Sequence, residues 1–133
     1  MQNIKRFYDK PYMTIGIIVV NIIVFVLMSI SGSTLDAQYM AAHGAMYPEY
    51  IKDGQYWRLL TSMFMHFGLM HILNNMVVLG AVGQIVEKAM GHVKLLITFL
   101  VSGICGSVLS YIVMLYNNDF AVSAGASGAI FGL

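Results

Sequence analysis

Charged residues leave long gaps along the chain. Residues 11–35, 59–86 and 95–118 carry no charge for 25, 28 and 24 positions, and residues 120–133 form a shorter run of 14. A bilayer hydrocarbon core takes about 20 apolar residues as one helix. The first three runs therefore predict spanning helices at about 12–30, 68–88 and 93–116, and the fourth predicts only the start of one, near Ala124. Glu87, Lys88, His92 and Lys94 cluster around Gly91 as a short turn between the second and third spans, and Asn117, Asn118 and Asp119 turn the chain at the other side. A helix starting at Ala124 has at most about ten residues here, roughly 15 Å of rise, against a hydrocarbon core of about 30 Å. The expectation is a piece of a longer protein.

Composition agrees. Of 133 residues, 59% are hydrophobic and only 10% charged, with a mean hydropathy of +0.76, whereas soluble domains are about a quarter charged. A soluble globular protein is thereby excluded. A net charge of +1 leaves no electrostatic footprint for nucleic acid. The single cysteine, Cys105, cannot form an intrachain disulfide and sits in an apolar run where packing is its expected role.

Lys5, Arg6 and Lys10 precede the first run. Ser31-Gly32-Ser33 resembles a leader cleavage site, but the apolar region is longer than the about 7–15 residues of a signal peptide, so a signal anchor is expected. By the positive-inside rule, residues 1–10 form a cytoplasmic segment, Lys88 and Lys94 lie on the same side, and the long connection 31–67 lies outside. A short N-terminus without a transit peptide points to a bacterial plasma membrane. The connection is rich in Tyr, Trp, Phe and Met, which suggests a folded loop lying partly in the membrane interface, or else aromatics that merely anchor helix ends. Small residues repeat at intervals of four (Ser102, Gly106 and Ser110; Gly103 and Ser107; Gly128 and Gly132), a pattern that lets helices approach closely in lipid.

Polar side chains inside spans are costly and mark candidate function. His71 and Asn75 lie four apart at the outer end of the second span, hence on one helix face continued by Val78 and Val82; Asn74 is beside them and His66 just before them. Ser127 is flanked by Gly125, Ala126 and Gly128 where the fourth helix would start. Glycines there let a reacting carbonyl approach, and a helix N-terminus offers unpaired N–H groups to a developing oxyanion. Both helices run inward from the outer face, which brings Ser127, His71 and Asn75 to similar depth. Taken singly, each has a structural alternative: the serine can bond a carbonyl of its own helix, His71 can be satisfied structurally, and Asn74 can bond a neighbouring helix. His43 and His92 are expected to be solvated, and Glu87 could simply reach the interface beside Lys88. No metal site is expected, because His66 and His71, five apart, diverge by about 140° around a helix.

Three separated motifs, Tyr56-Trp57-Arg58-Leu59-Leu60-Thr61, the stretch from His66 through His71 to Asn75, and Gly125-Ala126-Ser127-Gly128, resemble the rhomboid intramembrane serine proteases. The resemblance covers about residues 55–133. It implies an all-α, polytopic membrane bundle, incomplete here at three full spans and the start of a fourth, with residues 11–133 as the N-terminal portion of the protease domain. It implies Ser127 as nucleophile and His71, Asn75 and the Ser127 N–H as oxyanion donors. Gly125 and Gly128 would support them, His66 and the Trp57-Arg58 pair would shape the outer loop, and Glu87 would be a structural hydrogen-bonding residue. The substrates would be transmembrane proteins within the bilayer, with no cofactor. The family's general base is a histidine on a sixth helix; no matching segment is present, so the fragment alone would be inactive. Two further readings stand beside this one: a non-catalytic rhomboid-like protein that binds transmembrane segments, and a transporter piece with a helix broken at 123–128.

Overall fold

The computed structural model describes residues 10–133; the basic residues Lys5 and Arg6 and most of the expected cytoplasmic segment lie outside the described residues. The elements of the described residues are helices: α1 (Tyr12–Ser31), α2 (Ala37–His43), α3 (Pro48–Lys52), α4 (Arg58–Thr61) running into a 3₁₀ turn (Ser62–Phe64), α5 (Gly68–Met90), α6 (His92–Asn117) and α7 (Ser127–Phe131). Among the described residues there is no strand, only one isolated antiparallel bridge between Met46 and Ser123.

The helices α1, α5 and α6, of 20, 23 and 26 residues, are long and apolar enough to cross a bilayer. At 1.5 Å per residue each spans about 30 Å or more. The protein is an integral membrane protein. Val19, Ile23, Val77, Ile85, Val101 and Ile112 point outward, as lipid-facing positions should. Ile17, Ile72, Met76, Leu79 and Phe99 pack inward, together with Met63 from the outer connection and Ala126, Ala129 and Ile130 around α7.

The α1–α5 contact is tied by a carboxylate at the Gly91 end of the bundle, labelled the inner end after the charge pattern, the opposite end being labelled the outer. Glu87, fully buried, accepts from the Met13 N–H at 2.7 Å, the Thr14 N–H at 2.8 Å and the Thr14 hydroxyl at 2.6 Å. Met13 and Thr14 belong to the first turn of α1, whose N–H groups have no partner within their own helix. A carboxylate from another helix satisfies two of them and complements the helix dipole. His92 Nδ1 pairs with the same carboxylate, and the His92 side chain is only 11% exposed. The expectation of a solvated His92 is therefore corrected: it starts α6 one residue after the turn at Gly91, which folds it back onto Glu87.

Residues 32–67 form a folded layer rather than an open loop. The Asp36 side chain caps α2 by accepting from Gln38 N–H at 2.9 Å, and Gly44 ends that helix at φ +125°, a conformation suited to glycine. Arg58 is buried. Its Nη1 donates to the carbonyls of Ala41 and Ala45 (2.9 Å to the latter), its Nε donates to Gln55 Oε1 at 2.7 Å, and its guanidinium lies over the rings of Tyr50 and Trp57. The Thr61 hydroxyl donates to the Gly44 carbonyl at 2.7 Å. Five donors on a rigid fork let one arginine collect several carbonyls in this way.

The fourth helix starts at Ser127, three residues later than expected. Ser123 is engaged in the bridge to Met46, and Gly125 holds φ +120°, so neither can belong to a helix. The predicted small-residue contacts do form. A Cβ placed on Gly106 would lie 3.3 Å from the Gly128 Cα, and one on Gly132 would overlap the Ser102 side chain. Such contacts seat α7 close against α6.

Candidate active site

The segment leading into Ser127 is held by backbone bonds. Ser123 exchanges both of its bonds with Met46, N–H to O at 2.8 Å and O from N–H at 2.9 Å. Gly125 N–H donates to the Ser62 carbonyl at 2.9 Å. Ala126 N–H points at His66 Nε2, 3.3 Å away. The N–H groups of the first turn of α7, Ser127 included, have no partner within that helix. Ser127 is its first residue, and its side chain is exposed to two cavities.

The larger cavity, about 490 Å³, brings together Ser127, His71, Asn74 and Asn75, floored by Val78, Val82, Ile130 and Phe131. The smaller, about 180 Å³, lies between Ser127 and the serines Ser62, Ser107, Ser110 and Ser123. Ser127 thus sits on the partition between an apolar cavity with a polar end and a hydroxyl-lined one.

His71 Nδ1 accepts the Phe67 N–H at 3.1 Å. A ring nitrogen that accepts carries no proton, so the neutral ring holds its proton on Nε2. Nε2 points towards Gly125: a Cβ there would lie 2.9 Å from Nε2, 2.7 Å from Cε1 and 3.9 Å from Asn75 Nδ2. Gly125 is needed twice, for its positive φ and for the space that His71 occupies. Asn75 donates one amide hydrogen to the His71 carbonyl at 3.1 Å, which leaves its second donor for other use. The result is a pair of side-chain donors at the mouth of the cavity that Ser127 lines.

A family model described as a rhomboid domain matches residues 53–133. The chain belongs to the rhomboid family. It is 38% identical over 123 residues to the Rhomboid protease GluP of Bacillus subtilis (strain 168), a match covering 92% of this chain and 23% of that protein. RHOMBOID-like protein 7 of Arabidopsis thaliana is 39% identical over 107 residues, covering 80% of this chain and 32% of the relative. Rhomboid-like protease 2 of Toxoplasma gondii is 34% identical over 96 residues, covering 72% and 33%. The chain thus spans between 23% and 33% of the length of these relatives.

In this rhomboid chain the remaining candidate residues are distributed. Glu87 lies at the opposite end of α5, bonded to α1 and His92. Trp57 is half exposed on the outer layer, while Arg58 is buried beneath it. His66 lies behind Ser127, edge-on to His71 with ring centroids 5.1 Å apart. Burial, and secondarily the charge His71 can carry, lower the His66 pKa to about 4, against a partial offset from the Phe64 carbonyl, so His66 is neutral at physiological pH. Gly128 faces Gly106 on α6. His43 is exposed, as expected, with Nδ1 on the Tyr39 carbonyl at 2.7 Å. Among the described residues no three His, Cys, Asp or Glu side chains are grouped to hold a metal. Sequence reasoning missed Met46, Ser62 and Phe67, which act through backbone groups and leave no mark in side-chain chemistry. It also missed the hydroxyls of Ser107 and Ser110 as cavity lining, because their spacing was read as helix packing.

Proposed function

We propose that these residues form the nucleophile and oxyanion half of a rhomboid-type serine endopeptidase that cleaves transmembrane protein substrates. Ser127 Oγ, losing its proton to the base, attacks the scissile carbonyl; the C–N bond breaks, the amine fragment leaves with that proton, and water then hydrolyses the acyl-enzyme to free the carboxylate fragment. The oxyanion that develops is met by His71 Nε2–H, the free donor of Asn75 and the Ser127 N–H, groups already oriented before reaction and therefore effective in a site of low polarity. The observation that carries this reading is the His71 tautomer. With Nδ1 occupied by the Phe67 N–H, the proton is on Nε2 and faces the cavity. The same bond makes His71 a donor rather than the base for Ser127. The base, by resemblance, is a histidine on a sixth helix, so proteolysis belongs to the polypeptide that supplies it.

The charge pattern supports placing Lys10, Lys88 and Lys94 on the cytoplasmic side and Ser127 towards the outer face. The test is cleavage of a transmembrane reporter by the full-length protein in liposomes. Ser127→Ala abolishes cleavage and labelling by a serine-directed phosphonate, and Asn75→Ala lowers turnover about 10- to 1000-fold, the scale of one oxyanion donor. Undiminished cleavage by Ser127→Ala overturns the assignment. A wild-type protein that binds transmembrane segments but neither cleaves nor labels favours the binding-protein alternative.

A further inference from the structure

His66 takes no part in the chemistry proposed above, yet it is 1% exposed and adjoins the peptide that carries the nucleophile. Its Nε2 is the acceptor for Ala126 N–H, which requires the neutral ring to hold its proton on Nδ1. Nδ1 makes no hydrogen bond of good geometry and has the Phe64 carbonyl as its neighbour. The two histidines are therefore opposite tautomers, each set by a backbone N–H: Phe67 on Nδ1 of His71, Ala126 on Nε2 of His66. Ala126 itself is fully buried at φ −80°, ψ −2°, in the right-handed helical region, immediately before the first residue of α7. A residue held there directs the next N–H and side chain.

We propose that His66 is a positioning residue for Ser127, acting through the Ala126 N–H to fix the peptide that enters α7 and to keep that N–H out of the oxyanion site. The proposal rests on Ser127 being the nucleophile. Together with the Ser62 carbonyl on Gly125 N–H, it accounts for two consecutive N–H groups before Ser127, so that the Ser127 N–H is the first one aimed at a substrate oxygen.

The test uses ¹⁵N-labelled full-length protein in nanodiscs at neutral pH. A scalar coupling across the N–H···N bond between the Ala126 amide and His66 Nε2 is expected, with the Nε2 shift of an unprotonated nitrogen. His66→Gln, whose amide oxygen can reach the Nε2 position, keeps the Ala126 amide protected from exchange and keeps most of the activity. His66→Phe, which fills the space without an acceptor, loses that protection and lowers kcat about 10- to 100-fold with little change in KM, the scale of a misplaced reacting group. Absence of the coupling in the wild type overturns the contact. A folded His66→Phe with undiminished kcat, or a His66→Gln as impaired as His66→Phe, overturns the positioning role. Because the coupling is read without catalysis, its presence alongside an active Ser127→Ala would locate the failure in the nucleophile assignment instead.

Discussion

At the inner end of the bundle one carboxylate gathers two helices. Glu87 on α5 holds the Met13 and Thr14 N–H groups, the Thr14 hydroxyl and His92. At the outer end comparable work is spread over many bonds, none of these to a carboxylate. Tyr39 closes the end of α1, Arg58 and Thr61 hold the 41–45 carbonyls, Met46 pairs with Ser123, Ser62 holds Gly125 and His66 holds Ala126. The inner end has only to keep α1 and the start of α6 against α5, and one carboxylate-centred cluster does that. The outer end has to place a peptide, an imidazole and an amide relative to one another, and orientation in three dimensions needs several weak bonds with different directions. Dependence on any one residue should therefore be steep at the inner end and shallow at the outer.

The largest effect is expected at Glu87. Glu87→Leu leaves the Met13 and Thr14 N–H groups and the Thr14 hydroxyl without their acceptor in a buried setting and removes the carboxylate oxygen that His92 Nδ1 contacts. A buried donor left unpaired costs about 1–3 kcal/mol and three lose their acceptor here, so equilibrium unfolding in mixed micelles, followed by Trp57 fluorescence, should show a loss of about 3 kcal/mol or more. Glu87→Gln, which keeps one acceptor oxygen, should fall between. A Glu87→Leu protein as stable as the wild type would erase the contrast between the two ends.

The three spans could be read from charge-free runs to within two residues at each end, because lipid forbids charge over that length whatever the rest of the fold does. His71 and Asn75 were legible for a similar reason: four residues on a helix share a face. The outer layer was legible only as aromatic and apolar. Its helices α2 to α4 have seven, five and four residues, too short for periodicity, and what orders them is Arg58 reaching carbonyls 13 and 17 positions away. Glu87 entered the site only through family resemblance, since its partners lie 73 and 74 residues distant. His92 was misread because a polar residue beside a turn looks solvated until the turn folds it inward. The start of α7 was placed too early because Ala124, Gly125 and Ala126 suit a helix by size, while the bonds from Ser123 to Met46 and from Gly125 to Ser62 that keep this segment out of a helix are made by backbone.

A smaller effect is expected where α7 meets α6. Gly132→Ala would drive a methyl group into Ser102, and overpacking of this kind costs about 1–3 kcal/mol. Restoring the space with Ser102→Gly in the same chain should recover most of the loss, so a double-mutant cycle gives a coupling energy well above that of distant pairs. Additive costs would mean that α7 is not seated by that contact and that the outer end relies on its hydrogen bonds alone.

The smallest effect is expected from a single outer bond. The Tyr39 hydroxyl donates to the Met28 carbonyl at 2.7 Å and lies 2.6 Å from Ser31 Oγ, closing the last turn of α1 against α2. Ser31 Oγ also bonds the Leu27 carbonyl at 2.9 Å, and the Gly32 N–H bonds the Met28 carbonyl at 3.0 Å, so both partners keep a bond when the hydroxyl is removed. Tyr39→Phe should therefore cost about 1 kcal/mol, the net worth of one ordinary hydrogen bond, with the ring still packed over Gly32. Measured by the same unfolding assay, it should come out at a third or less of the Glu87→Leu loss. If Tyr39→Phe proved as damaging as Glu87→Leu, the outer layer would be hung from one point as the inner end is, and the hydroxyl rather than the ensemble of bonds would set where α2, and through it Ala41, Ala45 and Met46, hold the segment that leads to Ser127.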